Sequence, residues 1–190
     1  MTNWRTLILR SVGVVGLLIV ITATIVDTAA QRIPTIDMRP ATRDLAQVGL
    51  DQYRVTKVVD GDTIHAARDA EEVTVRLIGV DTPESVDPRK PVQCFAKEAS
   101  SFVSQLLDGK VVTLVIDPTQ DEKDRYGRLL RYVLLPDGQV ANQSIIELGY
   151  GYEYTYDTPY QRQRAFREAQ AEARAEERGL WSASTCNGQR

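Results

Sequence analysis

One histidine and two cysteines among 190 residues supply no His/Cys ligand set, so a zinc centre is excluded. A surplus of basic charge is missing too. The chain has a net charge of −3 and, from Tyr53 onward, −4. Composition therefore provides no general field for a polyanion, and any such site must be a local patch. Repeats and low-complexity tracts are absent. A hydrophobic content of 43% at this length suits one domain with a real core and some additional segments.

Charge is absent altogether from residues 11–26, SVGVVGLLIVITATIV, which follow Arg5 and Arg10. As a helix this run would span roughly 24 Å, between a signal-peptide core and a full membrane span. The flanking arginines should stay cytoplasmic while the rest is exported. Residues 1–30 therefore read as a signal peptide, with Thr28-Ala29-Ala30 as a small-residue cleavage site, or as a retained anchor helix. The expected location is outside the cytoplasm, either secreted or held at the membrane by that helix. Residues 31–52, with Pro34, Pro40 and Gly49, read as a linker, 53–186 as the folded domain and 187–190 as a tail. Behind an export signal, Cys94 and Cys186 suggest one disulfide closing a loop of about 92 residues; two buried free thiols are the other reading.

From Tyr53 the pattern is that of strands. YRVTKVV alternates, IHAA resumes after a DGD turn, and EEVTVRLIGV follows RDA, which predicts a three-stranded antiparallel meander. Over Gln93–Leu107 the period changes: Ala99, Phe102, Val103, Leu106 and Leu107 share one helix face, and Gly109 suits the stop. KVVTLVI (110–116) and LLRYVLL (129–135) read as two more strands. Asn142 is expected to cap a short helix ending at Gly149, and Thr158-Pro159-Tyr160-Gln161 to open a last helix ending near Arg178. The fold class is mainly β with α, a five-stranded barrel of the OB type with about three helices.

Three polar clusters interrupt this scaffold: Asp60-Gly61-Asp62-Thr63, Arg76 with Asp81-Thr82-Pro83-Glu84, and Asp124-Arg125-Tyr126-Gly127-Arg128. Each alone has a plain structural reading as a hairpin turn, a strand end or a polar loop. Arg76 fits such a reading less well, because it stands in an apolar run and a buried unpaired charge is costly. Together the clusters are complementary. Asp60, Asp62 and Asp81 are hard oxygen ligands suited to Ca²⁺ or Mg²⁺. Arg76 and Arg128 can each fork onto a phosphate, and Glu84 can orient or deprotonate water. A metal, two arginines and a base meet the needs of phosphodiester hydrolysis. A condition follows. On a straight strand Arg76 and Asp81 would lie about 16 Å apart on opposite faces, so the strand must bend, and Gly79 is the natural place.

VVDGDTI, VRLIGVDTPE and DRYGR, in this order and at these separations, resemble the thermonuclease (staphylococcal or micrococcal nuclease) family, with NQSIIELGY (142–150) and GLWS (179–182) also matching in order. The resemblance covers residues 53 to 183 or so. It implies an OB-fold nuclease that cleaves DNA and RNA with one Ca²⁺ and leaves 3′-phosphate ends. By motif position, Asp62 and Asp81 match the calcium carboxylates and the Thr82 carbonyl a further ligand, with Asp60 a carboxylate near the ion. Arg76 and Arg128 match the phosphate-contacting arginines and Glu84 the general base. Arg125 and Tyr126 match a basic–aromatic pair beside the nucleotide; of the later tyrosines, Tyr154 and Tyr156 are the favoured nucleotide contacts. A monomer is expected. The acidic balance departs from the family's basic members and implies weaker nucleic-acid binding with a shallow salt dependence. The competing reading is a non-catalytic nucleic-acid or protein binding module on the same barrel.

Overall fold

Alternation in the sequence becomes alternation in space. In a computed structural model, which describes residues 52–84 and 91–189, β1 (Gln52–Asp60) buries Tyr53 and Val55 and exposes Arg54 and Thr56. β2 (Thr63–Arg68) buries Ile64 and Ala66, and β3 (Glu71–Leu77) buries Val75 and Leu77. These strands form the expected antiparallel meander. β3 then pairs in parallel with β6 (Leu129–Leu134), β6 antiparallel with β5 (Val111–Val115), and β5 antiparallel with β1. The order β1-β2-β3-β6-β5 closes into a barrel, so no long strand edge is left unpaired. A separate two-residue ribbon pairs β4 (Val80–Asp81) with β7 (Tyr152–Glu153). The expected signal or anchor helix (1–30) and the expected linker up to residue 51 lie outside the described residues.

The barrel interior and the helices share one core. α1 (Ala96–Leu107) buries Ala99, Val103 and Leu107 at helical spacing. α2 (Ala141–Glu147) contributes Ile145 and Ile146, and α3 (Gln163–Ala175) contributes Phe166 and Ala169. A second, smaller cluster holds Tyr152, Ala173, Leu180 and Trp181, with Phe95 packed against it. Cys94 and Cys186 are joined in a disulfide that ties the start of α1 to the C-terminal segment.

Both expected helix caps differ from what forms, for the same reason. Asn142 lies inside the first turn of α2 and is fully buried. Its Oδ1 accepts from the Val133 N–H at 2.9 Å, and its Nδ2 donates to the Ile78 carbonyl at 2.9 Å and the Arg131 carbonyl at 3.2 Å. It serves the backbone of β6 and of the turn after β3 instead of its own helix, because buried main-chain groups there need partners. Thr158 does not open α3 either. That helix begins at Gln163 behind Arg162, with no side-chain cap. The Gln161 N–H is taken by Asp117 Oδ2 at 2.8 Å, the oxygen that also accepts from the Tyr132 hydroxyl at 2.5 Å. Burial pushes the Asp117 carboxyl up, but hydrogen bonds from Tyr132, Thr119 and Gln161 outweigh it and hold the group below the usual carboxylate range. α3 ends at Ala175, ahead of the expected Arg178.

Candidate active site

The turn after β3 supplies the bend that the site requires. Regular strand ends at Leu77, and Gly79 takes φ +76°, a conformation that L side chains avoid. A Cβ on Gly79 would also sit 2.6 Å from Tyr160 Cζ. The chain reverses there and runs into β4, bringing Asp81 back toward Arg76, with Arg76 Nη2 3.6 Å from Asp81 Oδ1. Across β2–β3, Thr63 stands opposite Arg76, so the preceding Asp62 also reaches it, at 3.0 Å from Oδ2. The other guanidinium nitrogen, Nη1, donates to the carbonyls of Leu77 (2.8 Å) and Val80 (2.6 Å), which locks the arginine into the bend.

Two carboxylates therefore converge on one cationic nitrogen. Asp62 Oδ2 is further held by the Thr82 N–H at 3.3 Å. Thr82 packs over Gly61 so closely that a Cβ on that glycine would lie 2.6 Å from Thr82 Oγ1, which ties the DGD turn to the DTPE segment. The Thr82 hydroxyl is buried and, among the described residues, has no hydrogen-bond partner. Asp60 is buried and its Oδ1 accepts the Gly61 N–H at 2.8 Å. Among the described residues, no three His, Cys, Asp or Glu side chains are gathered into a ready metal cluster. The donors at hand are oxygens: two convergent carboxylates, nearby carbonyls and an unsatisfied hydroxyl. That chemistry fits a hard divalent cation that keeps part of its water, and it does not suit a soft metal.

Arg128 approaches from the loop before β6. Asp124 grips it, with Nε at 2.6 Å and Nη2 at 2.6 Å from Asp124 Oδ2, while Oδ1 accepts the Arg128 N–H at 3.0 Å. Burial pushes the Asp124 carboxyl up, yet the bonds from Arg128 and Tyr126 prevail and keep it below the usual range. Nη1 of Arg128 is left to reach Thr63 Oγ1 at 3.4 Å, and that hydroxyl donates in turn to Asp62 Oδ1 at 2.9 Å. Thr63 thus joins the Arg128 side of the site to the Asp62 and Arg76 side. Sequence reasoning passed over Thr63 and gave Asp124 no role; the last letter of DGDT and the first of DRYGR were the only signals.

The flanking aromatic groups are on the surface. Tyr126 is 68% exposed and Tyr156 74%, which is unusual for side chains of this size. Arg125 lies 4.9 Å over the Tyr126 ring and Arg128 5.3 Å from it. Interaction with Tyr126 first, and with Tyr156 after it, pushes the Arg125 guanidinium up. Tyr154 is exposed, its ring 6.5 Å from that of Tyr156, whereas Tyr152 is buried edge-on against Trp181. Glu84 follows the buried Pro83 and is itself half-buried.

Comparison with known proteins agrees with this geometry. The staphylococcal nuclease homologue family matches residues 74–183. A thermonuclease of Staphylococcus hyicus is 36% identical over 167 residues, 88% of this chain and 96% of that protein. A thermonuclease of Staphylococcus intermedius is 37% identical over 142 residues, 75% of this chain and 83% of that protein. An uncharacterised endonuclease of Escherichia coli is 35% identical over 129 residues, 68% of this chain and 76% of that protein. With a closed five-stranded barrel, a match across more than half its length and such relatives, this chain belongs to the staphylococcal nuclease homologue family.

Proposed function

We propose that this protein is a nuclease that hydrolyses phosphodiester bonds of DNA, RNA or both, depends on Ca²⁺, and works outside the cytoplasm. The observation that carries the reading is the meeting of Arg76, Asp62 and Asp81 at one point, with Arg128 joined to them through Thr63. The thermonuclease relatives and the oxygen-only donor set support it. The uncharged run 11–26 behind two arginines supports export.

Asp62 and Asp81, with the Thr82 carbonyl, would hold the cation, and Asp60 would add negative charge nearby. When bound, calcium supplies charge neutralisation at the phosphate and a place to bind water. The protein's own groups do the rest. Arg76 and Arg128 receive the non-bridging phosphate oxygens from two sides, and their charge counts for more as electron density builds on those oxygens. Asp124 fixes the Arg128 plane, so little orientation has to be lost on binding. Glu84 orients a water and accepts its proton as the new O–P bond forms. The bond from phosphorus to the 5′ oxygen breaks, that oxygen takes up a proton from water to leave as a 5′-hydroxyl, and a 3′-phosphate remains. Tyr126, Tyr154 and Tyr156 offer faces to flanking bases, with Arg125 beside them.

Single-stranded DNA incubated with the protein and calcium should be cut to 3′-phosphate ends. A chelator should stop the cutting, and Glu84→Gln and Arg128→Ala should each lower kcat by about 100-fold or more. Binding that persists in chelator, with no cleavage in calcium at any pH from mildly acidic to strongly alkaline, would instead identify a binding module.

A further inference from the structure

The main chain of Glu84 is gripped from behind by one residue. Its N–H donates to Gln93 Oε1 at 2.8 Å, and its carbonyl accepts from the Gln93 N–H at 3.0 Å. Both main-chain hydrogen-bonding groups of Glu84 are thereby engaged. On the other side stands Pro83, whose ring fixes its own φ and restricts the residue before it. The backbone from which the Glu84 side chain leaves is thus held by Gln93, and Pro83 stiffens the chain that leads to it.

Gln93 precedes α1 and belongs to no helix or strand; its carbonyl accepts the Ala96 N–H at 3.2 Å, which ties it to the first turn of that helix. The cap residue of α1, Phe95, has φ 65°, and among the described residues no side chain caps this end, so the helix start rests on the backbone bonds of its first turn and on what holds the segment before it. Cys94 is bonded to Cys186. The segment around Cys186 is itself fastened: the Gly188 N–H donates to the Leu180 carbonyl at 2.9 Å, and the Tyr152 hydroxyl donates to the Gln189 carbonyl at 3.2 Å. Phe95 packs against the same Trp181 cluster. A covalent tie therefore runs from the C-terminal segment, itself bonded to Leu180 and Tyr152 of the second core, to the residue beside Gln93.

We propose that Gln93 is a positioning residue for Glu84, and that the Cys94–Cys186 disulfide holds Gln93 in place. The proposal rests on the reading of Glu84 as the group that handles water. It separates two effects of losing the clasp. The Asp62, Arg76 and Asp81 cluster belongs to the β1–β2 turn, β3 and β4, so cation and substrate binding should survive. The chemical step, which depends on where the Glu84 carboxylate stands, should not.

The test uses the full chain and steady-state cleavage of single-stranded DNA, with calcium titrated separately. Gln93→Met keeps the length of the side chain and removes the acceptor. It should lower kcat by about 10- to 100-fold while KM and the half-saturating calcium concentration move by less than about threefold. Gln93→Glu keeps an acceptor oxygen and should recover kcat to within about fivefold of the wild type. Wild-type protein reduced with dithiothreitol, its two thiols confirmed by titration and its folding by circular dichroism, should lose about 3- to 10-fold in kcat with the calcium midpoint unchanged. A Gln93→Met enzyme with kcat within about twofold of wild type overturns the proposal, as does a loss matched by an equal loss of calcium binding. Unchanged kcat on reduction overturns the disulfide half. A wild type inert in calcium, or a fully active Glu84→Gln, sinks the functional reading and the proposal with it. An active wild type, a crippled Glu84→Gln and an indifferent Gln93→Met sink the proposal alone.

Discussion

Gly79→Ala is the sharpest probe of how the fold builds the site. At φ +76° the left-handed backbone should cost an alanine about 1–2 kcal/mol. The new methyl would also lie 2.6 Å from Tyr160 Cζ and 2.7 Å from its hydroxyl. Tyr160 has little room to yield. It is 4% exposed, its hydroxyl donates to Glu153 Oε1 at 3.0 Å, and its ring lies 5.4 Å from that of Phe166. Overpacking of this kind costs about 1–3 kcal/mol. The total is then about 2–5 kcal/mol, measured by urea denaturation at constant m-value. A second background separates the two parts. With Tyr160→Leu already present the methyl has space, and only the backbone share, about 1–2 kcal/mol, should remain. Equal costs in the two backgrounds, within about 0.5 kcal/mol, would show that Tyr160 does not buttress the bend. Because Asp81 follows Gly79 by two residues, Gly79→Ala should also raise the calcium concentration needed for half-maximal activity.

Three further outcomes follow from the same contacts. Burial first, and then the Glu153 carboxylate, push the Tyr160 hydroxyl well above the ordinary phenol value; burial and Asp117 do the same for Tyr132. Groups with raised folded pKa values add stability that is whole below the unfolded value, so unfolding titrations should show this share of the stability falling as pH climbs past about 10. Asp117 and Asp124 are the opposite case, with folded values held low despite burial. Their contribution is present above about pH 4 and lost below it, and Asp124→Asn should flatten that acid limb. Tyr126→Ala should weaken binding of single-stranded DNA, in calcium with Glu84→Gln to block cleavage, by about 1–3 kcal/mol without changing the melting temperature.

The sequence made the barrel and the bend legible because both rest on local signals. Alternation marked the strands, and a glycine between Arg76 and Asp81 was the one place where two residues on opposite strand faces could be brought together. The helix caps were misread because local pattern competes with long-range need. Asn142 answers to Val133 and Ile78, and the N-terminus of α3 answers to Asp117, 44 residues upstream of Gln161. Nor could local pattern show the parallel pairing of β3 with β6, the two-residue strands β4 and β7, or the link that Thr63 makes between Arg128 and Asp62. The cysteine pair was read from compartment logic, and the disulfide is there.

The β4–β7 ribbon limits how this protein can change. Asp81 is paired with Tyr152, whose ring fills the second core, and Tyr154 and Tyr156 follow on the exposed side. One residue inserted or deleted between Gly149 and Tyr152 would shift the β4–β7 pairing and take Tyr152 out of register with Asp81. Tyr152 would lose its place against Trp181, and Glu153 the bonds it accepts from Tyr160 and Thr155. Length variation among natural variants should therefore gather elsewhere.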